Sequence, residues 1–191
     1  MKTTMMVFTL LALTSGPLLA ENERRTLISD IGQVSGFGGM EASVGDIGGG
    51  TNALMGGYGA ALFNERFYLG GGGKGSVRTV EGTDYQFGYG GLLMGYFTSP
   101  RSLVHGDISL MLGAGGLADT ASMGGTTGHN HNADAFFVAE PRIAMAMNLA
   151  PFTKFTLGVS YRFVEGVNVA GVSNKDLSGF SVTTSAIFGR F

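Results

Sequence analysis

Charged and titratable residues recur at even spacings inside runs that are otherwise apolar or glycine-rich. The set is Glu41, Lys74, Arg78, His105, Asp107, Glu140, Arg142, Lys154 and Arg162. Successive side chains of a strand point to opposite faces, so even spacing gathers such residues on one face. If that face lines the inside of a closed sheet, two chemistries are open. The acids and bases can pair with one another, since buried charges need partners. Alternatively they can line a narrow path for ions or a small solute. Eight strands enclose a space just wide enough for side chains to fill, which favours the packed, paired interior.

Two further stretches could do chemistry. His129-Asn130-His131 places two imidazoles two residues apart, with Asp134 nearby. They are weak candidates for a metal, because a site needs a third or fourth ligand in fixed geometry and the remaining histidine, His105, is distant in sequence. A mobile, solvated loop is the simpler expectation, with no metal and no cofactor. The Gly71–Gly75 run (GGGKG) has the composition of a phosphate loop. It lies within a strand pattern with no helix after it, which is the wrong setting for phosphate binding. No GxSxG or HExxH motif occurs. The expectation is a chain that is not an enzyme.

The elements that must position these residues read as eight strands. They run roughly over 34–44, 51–63, 67–79, 85–97, 103–114, 134–148, 154–164 and 179–191. Strand three alternates Phe67, Leu69, Gly71, Gly73, Gly75 and Val77 with Tyr68, Lys74, Ser76 and Arg78. Strand seven alternates Phe155, Leu157, Val159, Tyr161 and Phe163 with Lys154, Thr156, Ser160 and Arg162. No helical period of comparable length appears. The odd connections are the longer ones, apart from a short third, and the even ones are short turns. Membrane barrels show that asymmetry, with short periplasmic turns and long outward loops. Pro141 sits inside strand six, where it cannot donate to a ladder, and predicts a bulge or a late start to the membrane-spanning part. The last strand has mixed parity, which predicts either a bulge or an apolar patch inside.

Aromatic residues collect at strand ends. Phe63, Phe67, Tyr68, Tyr96, Phe97, Phe152, Phe155, Phe188 and Phe191 fall at one end, and Tyr85, Phe87, Phe136, Phe137, Tyr161, Phe163 and Phe180 at the other. Two girdles are expected where a barrel meets the two membrane interfaces. Phe37, Tyr58 and Tyr89 do not fit that scheme.

The chain has 191 residues, 34 of them Gly, no Cys, no Trp and a net charge of −2. That is one domain's worth, with no electrostatic footprint for nucleic acid. Without Cys there is no disulfide or thiolate chemistry. Lys2, the apolar run Met5–Leu13 and a small residue at Ala20 read as a secretory signal peptide over residues 1–20. Residues 21–33 are polar and read as a periplasmic lead-in, and residues 34–191 as the barrel.

The ending Ile187-Phe188-Gly189-Arg190-Phe191 resembles the C-terminal signature of bacterial outer-membrane β-barrels. That resemblance implies that Ile187, Gly189 and Phe191 are read by the barrel assembly machinery. In architecture the chain resembles the small eight-stranded barrels of the OmpA-transmembrane-domain and OmpX type. It is also similar, in its Gly70–Gly73 and Ser160-Tyr161-Arg162 segments, to an uncharacterised bacterial outer-membrane family. The fold so implied is all-β, an antiparallel up-and-down transmembrane barrel in a Gram-negative-type outer membrane, with lipid as its surroundings. Its implied role is structural or interactive, through the outward loops 115–133 and 165–178, toward an unknown surface partner. Lipid A deacylases share the strand count and use His, Ser and Glu on the outer face. His131 and Glu140 are present here, but the His-x-Ser-Asn pattern is not, since His129 and His131 are each followed by Asn. A narrow channel and a soluble secreted ligand-binding barrel remain as alternatives.

Overall fold

The alternation seen in the sequence folds into strands because only a closed sheet can bury one face of each and satisfy every backbone group at its edges. The structure, a computed structural model, describes residues 33–77, 85–119, 134–168 and 172–191. These belong to one unit, Ile31–Phe191. The expected signal peptide (1–20), nearly all of the expected lead-in (21–33), Arg78, His129 and His131 lie outside the described residues.

The strands are β1 (Val34–Ile47), β2 (Gly50–Phe63), β3 (Phe67–Ser76), β4 (Tyr85–Phe97), β5 (Val104–Asp119), β6 (Asp134–Ala150), β7 (Thr153–Glu165) and β8 (Gly179–Gly189), with a short helix, α1 (Asn174–Leu177), before β8. Each strand pairs antiparallel with its neighbour in sequence, and β1 pairs with β8 to close the barrel. The fold is therefore the all-β, eight-stranded up-and-down barrel.

The first connection is much shorter than expected. β1 and β2 continue to a tight turn at Gly48 and Gly49, both with positive φ (67° and 78°). Glycine takes that conformation without steric cost, and two such residues match a hairpin's twist.

Pro141 causes no bulge. It pairs with Leu110 of β5 and faces outward. The ladder to β7 lapses between Ala139 and Arg142 and resumes in the same register. The irregularity in β6 lies instead at Asn148/Ala150, next to the turn. β8 keeps one register against both neighbours, so its mixed parity is resolved by an apolar patch inside. Ile187 is buried and the Phe191 ring lies 5.9 Å from Phe37.

Parity sorts the aromatic residues more finely than strand ends do. Phe67, Tyr96, Phe152, Phe155 and Phe188 are exposed at the end bearing the termini, and Phe137, Phe163 and Phe180 at the opposite end. These form the two outer girdles. Tyr68, Phe97, Phe87 and Phe136, expected in the girdles, are buried inside. Between the girdles the outer face is apolar, with Ile143 64% and Leu157 55% exposed.

Candidate functional site

The barrel interior is built in three layers. At the end bearing the termini, Phe37, Tyr68 and Phe97 form an aromatic floor, with ring centroids 5.3 Å (Phe37–Tyr68) and 5.1 Å (Tyr68–Phe97) apart. The wall makes room for these rings: a Cβ added at Gly95 would collide with the Tyr68 ring. At the opposite end Phe87 stacks on Phe136, 5.3 Å between centroids, beside Leu54, Val138 and Leu177.

Between the two apolar layers lies a continuous chain of ion pairs and hydrogen bonds. The Tyr89 hydroxyl donates to Glu140 Oε2. Lys74 Nζ pairs with Glu140 Oε1 at 2.9 Å and with Glu41 Oε1. Arg142 Nη1 meets Glu41 Oε2 at 2.8 Å, and its Nη2 meets Asp107 Oδ2 at 2.6 Å. The Tyr68 hydroxyl donates to Asp107 Oδ1 at 2.7 Å. Arg142 also donates to Ser109 Oγ (3.1 Å) and Ser185 Oγ (3.2 Å). Low local dielectric strengthens such a chain when it is complete and penalises any member left alone. Beside it, a cavity of about 20 Å³ lined by Glu41, Tyr58, Lys74, Glu140 and Arg142 has room for about one water.

The sequence-derived set therefore divides. Glu41, Lys74, Asp107, Glu140 and Arg142 meet in the middle layer. Three other members are inside but stand apart. His105 is buried near the terminal end, where its Nδ1 lies 3.2 Å from the Ser102 carbonyl oxygen and its ring meets Phe97 edge-on. Lys154 places Nζ over the rings of Phe97 (4.7 Å) and Phe191 (4.4 Å). Arg162 lies at the opposite end, donating from Nε to Leu177 O (2.7 Å) and from Nη2 to Asp46 O (3.3 Å). Depth along the strand separates His105 and Lys154 from the chain, and side-chain direction separates Arg162, which falls opposite Glu140 in the β6–β7 register; parity alone reveals neither. Tyr68, Tyr89, Ser109 and Ser185 belong to the chain but are not in the set of charged residues that the sequence singles out. The alternation of Tyr68 with Phe67 and Leu69 was the available signal.

Arg162 ties the last loop to the barrel. It holds the carbonyl at the end of α1, and Gly48 N–H donates to Asp176 O from the first turn (2.5 Å). Asp176 Oδ2 accepts from Ser173 N–H (2.8 Å) and Ser173 Oγ (2.7 Å). These bonds hold its carboxyl below the ordinary range. At the other end, on exposed turns, Arg101 pairs with Glu65 at 2.9 Å and lowers that carboxyl too.

Glu140, a member of the deacylase-like set, points into the barrel and is consumed by Lys74 and Tyr89. Ile187 and Gly189 close the sheet against Gly39 and Phe37 of β1.

A closed eight-stranded barrel with an apolar outer belt and an ion-paired interior defines the class: the chain has the fold of the small outer-membrane β-barrels. Its solved neighbours are of that kind. Neisserial surface protein A overlays with a TM-score of 0.55 at 11% identity, covering 81% of this chain and 96% of that one. Ail of Yersinia pestis follows at 0.47 and 14% identity (82% and 97% covered), and OprG of Pseudomonas aeruginosa at 0.42 and 13% (82% and 93%). No protein-family model matches the chain, and no curated protein matches it in sequence.

Proposed function

We propose that this chain is an outer-membrane barrel with a sealed interior, whose role is structural or interactive through the loops at the end opposite the termini. One observation carries the reading. An outer belt of exposed apolar residues surrounds an interior filled by paired charges between two apolar layers. The belt suits lipid and not water, because a contiguous apolar surface of that kind marks a membrane or partner contact. The filled interior favours a scaffold over a pore. In this reading the envelope lipid surrounds the belt. The assembly machinery engages Ile187, Gly189 and Phe191 during insertion, and secretion uses the segment 1–20. No catalytic role follows from the interior, where the charged groups of the middle layer are committed to one another.

The experiment is conductance of the refolded protein in planar bilayers. A sealed scaffold gives no discrete steps under applied voltage. Reproducible unitary steps, abolished by substitutions at Glu41 or Arg142, would instead establish the narrow channel.

A further inference from the structure

One wall of the interior differs from the rest. Above the ion chain, β2 and β4 to β6 present Leu54, Phe87, Leu117 and Val138. The wall made by β7, β8 and β1 presents hydroxyls up to Arg162, with Ile47 and Val164 apolar beyond it. Thr156, Ser160, Thr183 and Ser43 are each at most 3% exposed, and their side-chain oxygens have no hydrogen-bond partner among the described residues. Registers place them in sequence along the axis. Thr156 pairs with Ser185, which bonds Glu41. Thr183 lies opposite Ser43 one step on, and Ser160 opposite Ser181 the next. The following step is Arg162, opposite Gly179, whose Nη1 is likewise buried without a partner. Ser160 also lies close to the Glu140 carboxylate without a hydrogen bond of ordinary geometry.

Five buried polar atoms in one file are more than a folded barrel tolerates dry, because an unmade buried hydrogen bond costs more than a made one returns. Buried water commonly satisfies such groups, each molecule taking about three partners.

We infer that Thr156, Ser43, Thr183, Ser160 and Arg162 line an internal water file running from the buried ion chain to the mouth beneath α1. The file is one-sided. The floor of Phe37, Tyr68 and Phe97 closes the path toward the termini, so water reaches Glu41 and Glu140 only from the α1 end. The ion chain is thereby hydrated without becoming a pore.

The test is water-to-methyl cross-relaxation by NMR on the Thr-methyl-labelled, refolded full-length barrel in micelles, with a second measurement on Thr183→Val. Val keeps the shape of Thr and removes the oxygen. The expected result is water cross-peaks at the methyls of Thr156 and Thr183. In Thr183→Val, the midpoint of the heat-driven gel shift should fall by about 2–4 °C. Methyls silent to water, or a midpoint that rises in Thr183→Val as it would on removing a dry orphan oxygen, overturns the file.

Discussion

Arg142 and Asp107 meet at 2.6 Å in the middle of the barrel, and Asp107 has no solvent exposure at all. Asp107 in turn accepts from Tyr68 of the aromatic floor, and Arg142 reaches Glu41 on the far strand of the closure. One guanidinium thus joins β5, β6, β1 and β8 across the lumen. Its removal would strand buried charge, because Asp107 has no other ion-pair partner among the described residues.

Arg142→Met is accordingly expected to destabilise the barrel by about 3–5 kcal/mol, because it leaves Asp107 and part of Glu41 buried without a counter-charge. Urea unfolding in lipid vesicles, followed by gel mobility, measures it. Arg101→Ala removes an exposed pair with Glu65 and should leave the midpoint within error.

Lys154 gives the contrasting case. Its ammonium has no carboxylate within 4.0 Å among the described residues and lies over two aromatic rings. Lys154→Met keeps the packing and leaves no partner stranded. The same unfolding assay should show a change within about 1 kcal/mol. A loss equal to that of Arg142→Met would mean that Lys154 belongs to the ion chain.

Gly95 faces the Tyr68 ring, and a methyl there would collide with it. Gly95→Ala should destabilise by about 1–3 kcal/mol through overpacking. At Gly49, where an added Cβ would meet nothing within 4 Å, a substitution would be strained for another reason, the φ of 78°. Comparing Gly95→Ala in the Tyr68 and Tyr68→Leu backgrounds separates the clash from any general intolerance. The penalty should shrink when the ring is gone.

The strands were legible because their outward and inward faces differ so sharply in chemistry. In β7, Phe155, Leu157, Val159 and Phe163 alternate with Lys154, Thr156, Ser160 and Arg162, and the structure keeps that alternation. Side-chain reach was not legible. Glu140 and Arg162 share an inward face and fall opposite one another in the β6–β7 register, yet one turns to Lys74 in the ion chain and the other to the carbonyl of Leu177 in α1, which neither parity nor register shows. The interior aromatics were misassigned for a related reason. Phe136 and Phe137 are neighbours at one strand end, so position alone put both in a girdle, although their opposite faces put Phe136 inside. The short first turn was hidden because Gly45, Asp46 and the glycines 48–50 look like loop residues. In the structure Asn52 is buried, its side-chain amide donating to Ile47 O at 3.1 Å and so completing the hairpin.

The outer face predicts its own mutational pattern. Ile143→Arg or Leu157→Arg places charge on the exposed belt of β6 or β7, where lipid would surround it. Each should cost about 2–4 kcal/mol near mid-depth. Refolding yield into vesicles and the urea midpoint should both drop, while a protein that folds in water would be largely indifferent to either change.

Acid should loosen the last loop before it opens the barrel. The Asp176 carboxyl is held below its ordinary value of about 3.9 by the Ser173 N–H and hydroxyl. A depressed folded pKa contributes stability that is fully present above the unfolded value and is lost as pH falls through the folded one. Protection of the α1 amides against hydrogen exchange, relative to their intrinsic rate at each pH, should therefore fall below about pH 4, and Asp176→Asn should show the lower protection already at neutral pH.

The most direct test of the membrane-barrel account is gel mobility of the envelope-extracted protein, unboiled against boiled in detergent. A closed, lipid-embedded barrel resists detergent until heated. The account predicts a fast-migrating band from the outer-membrane fraction that shifts on boiling. Recovery in the soluble fraction with no shift on heating would contradict it.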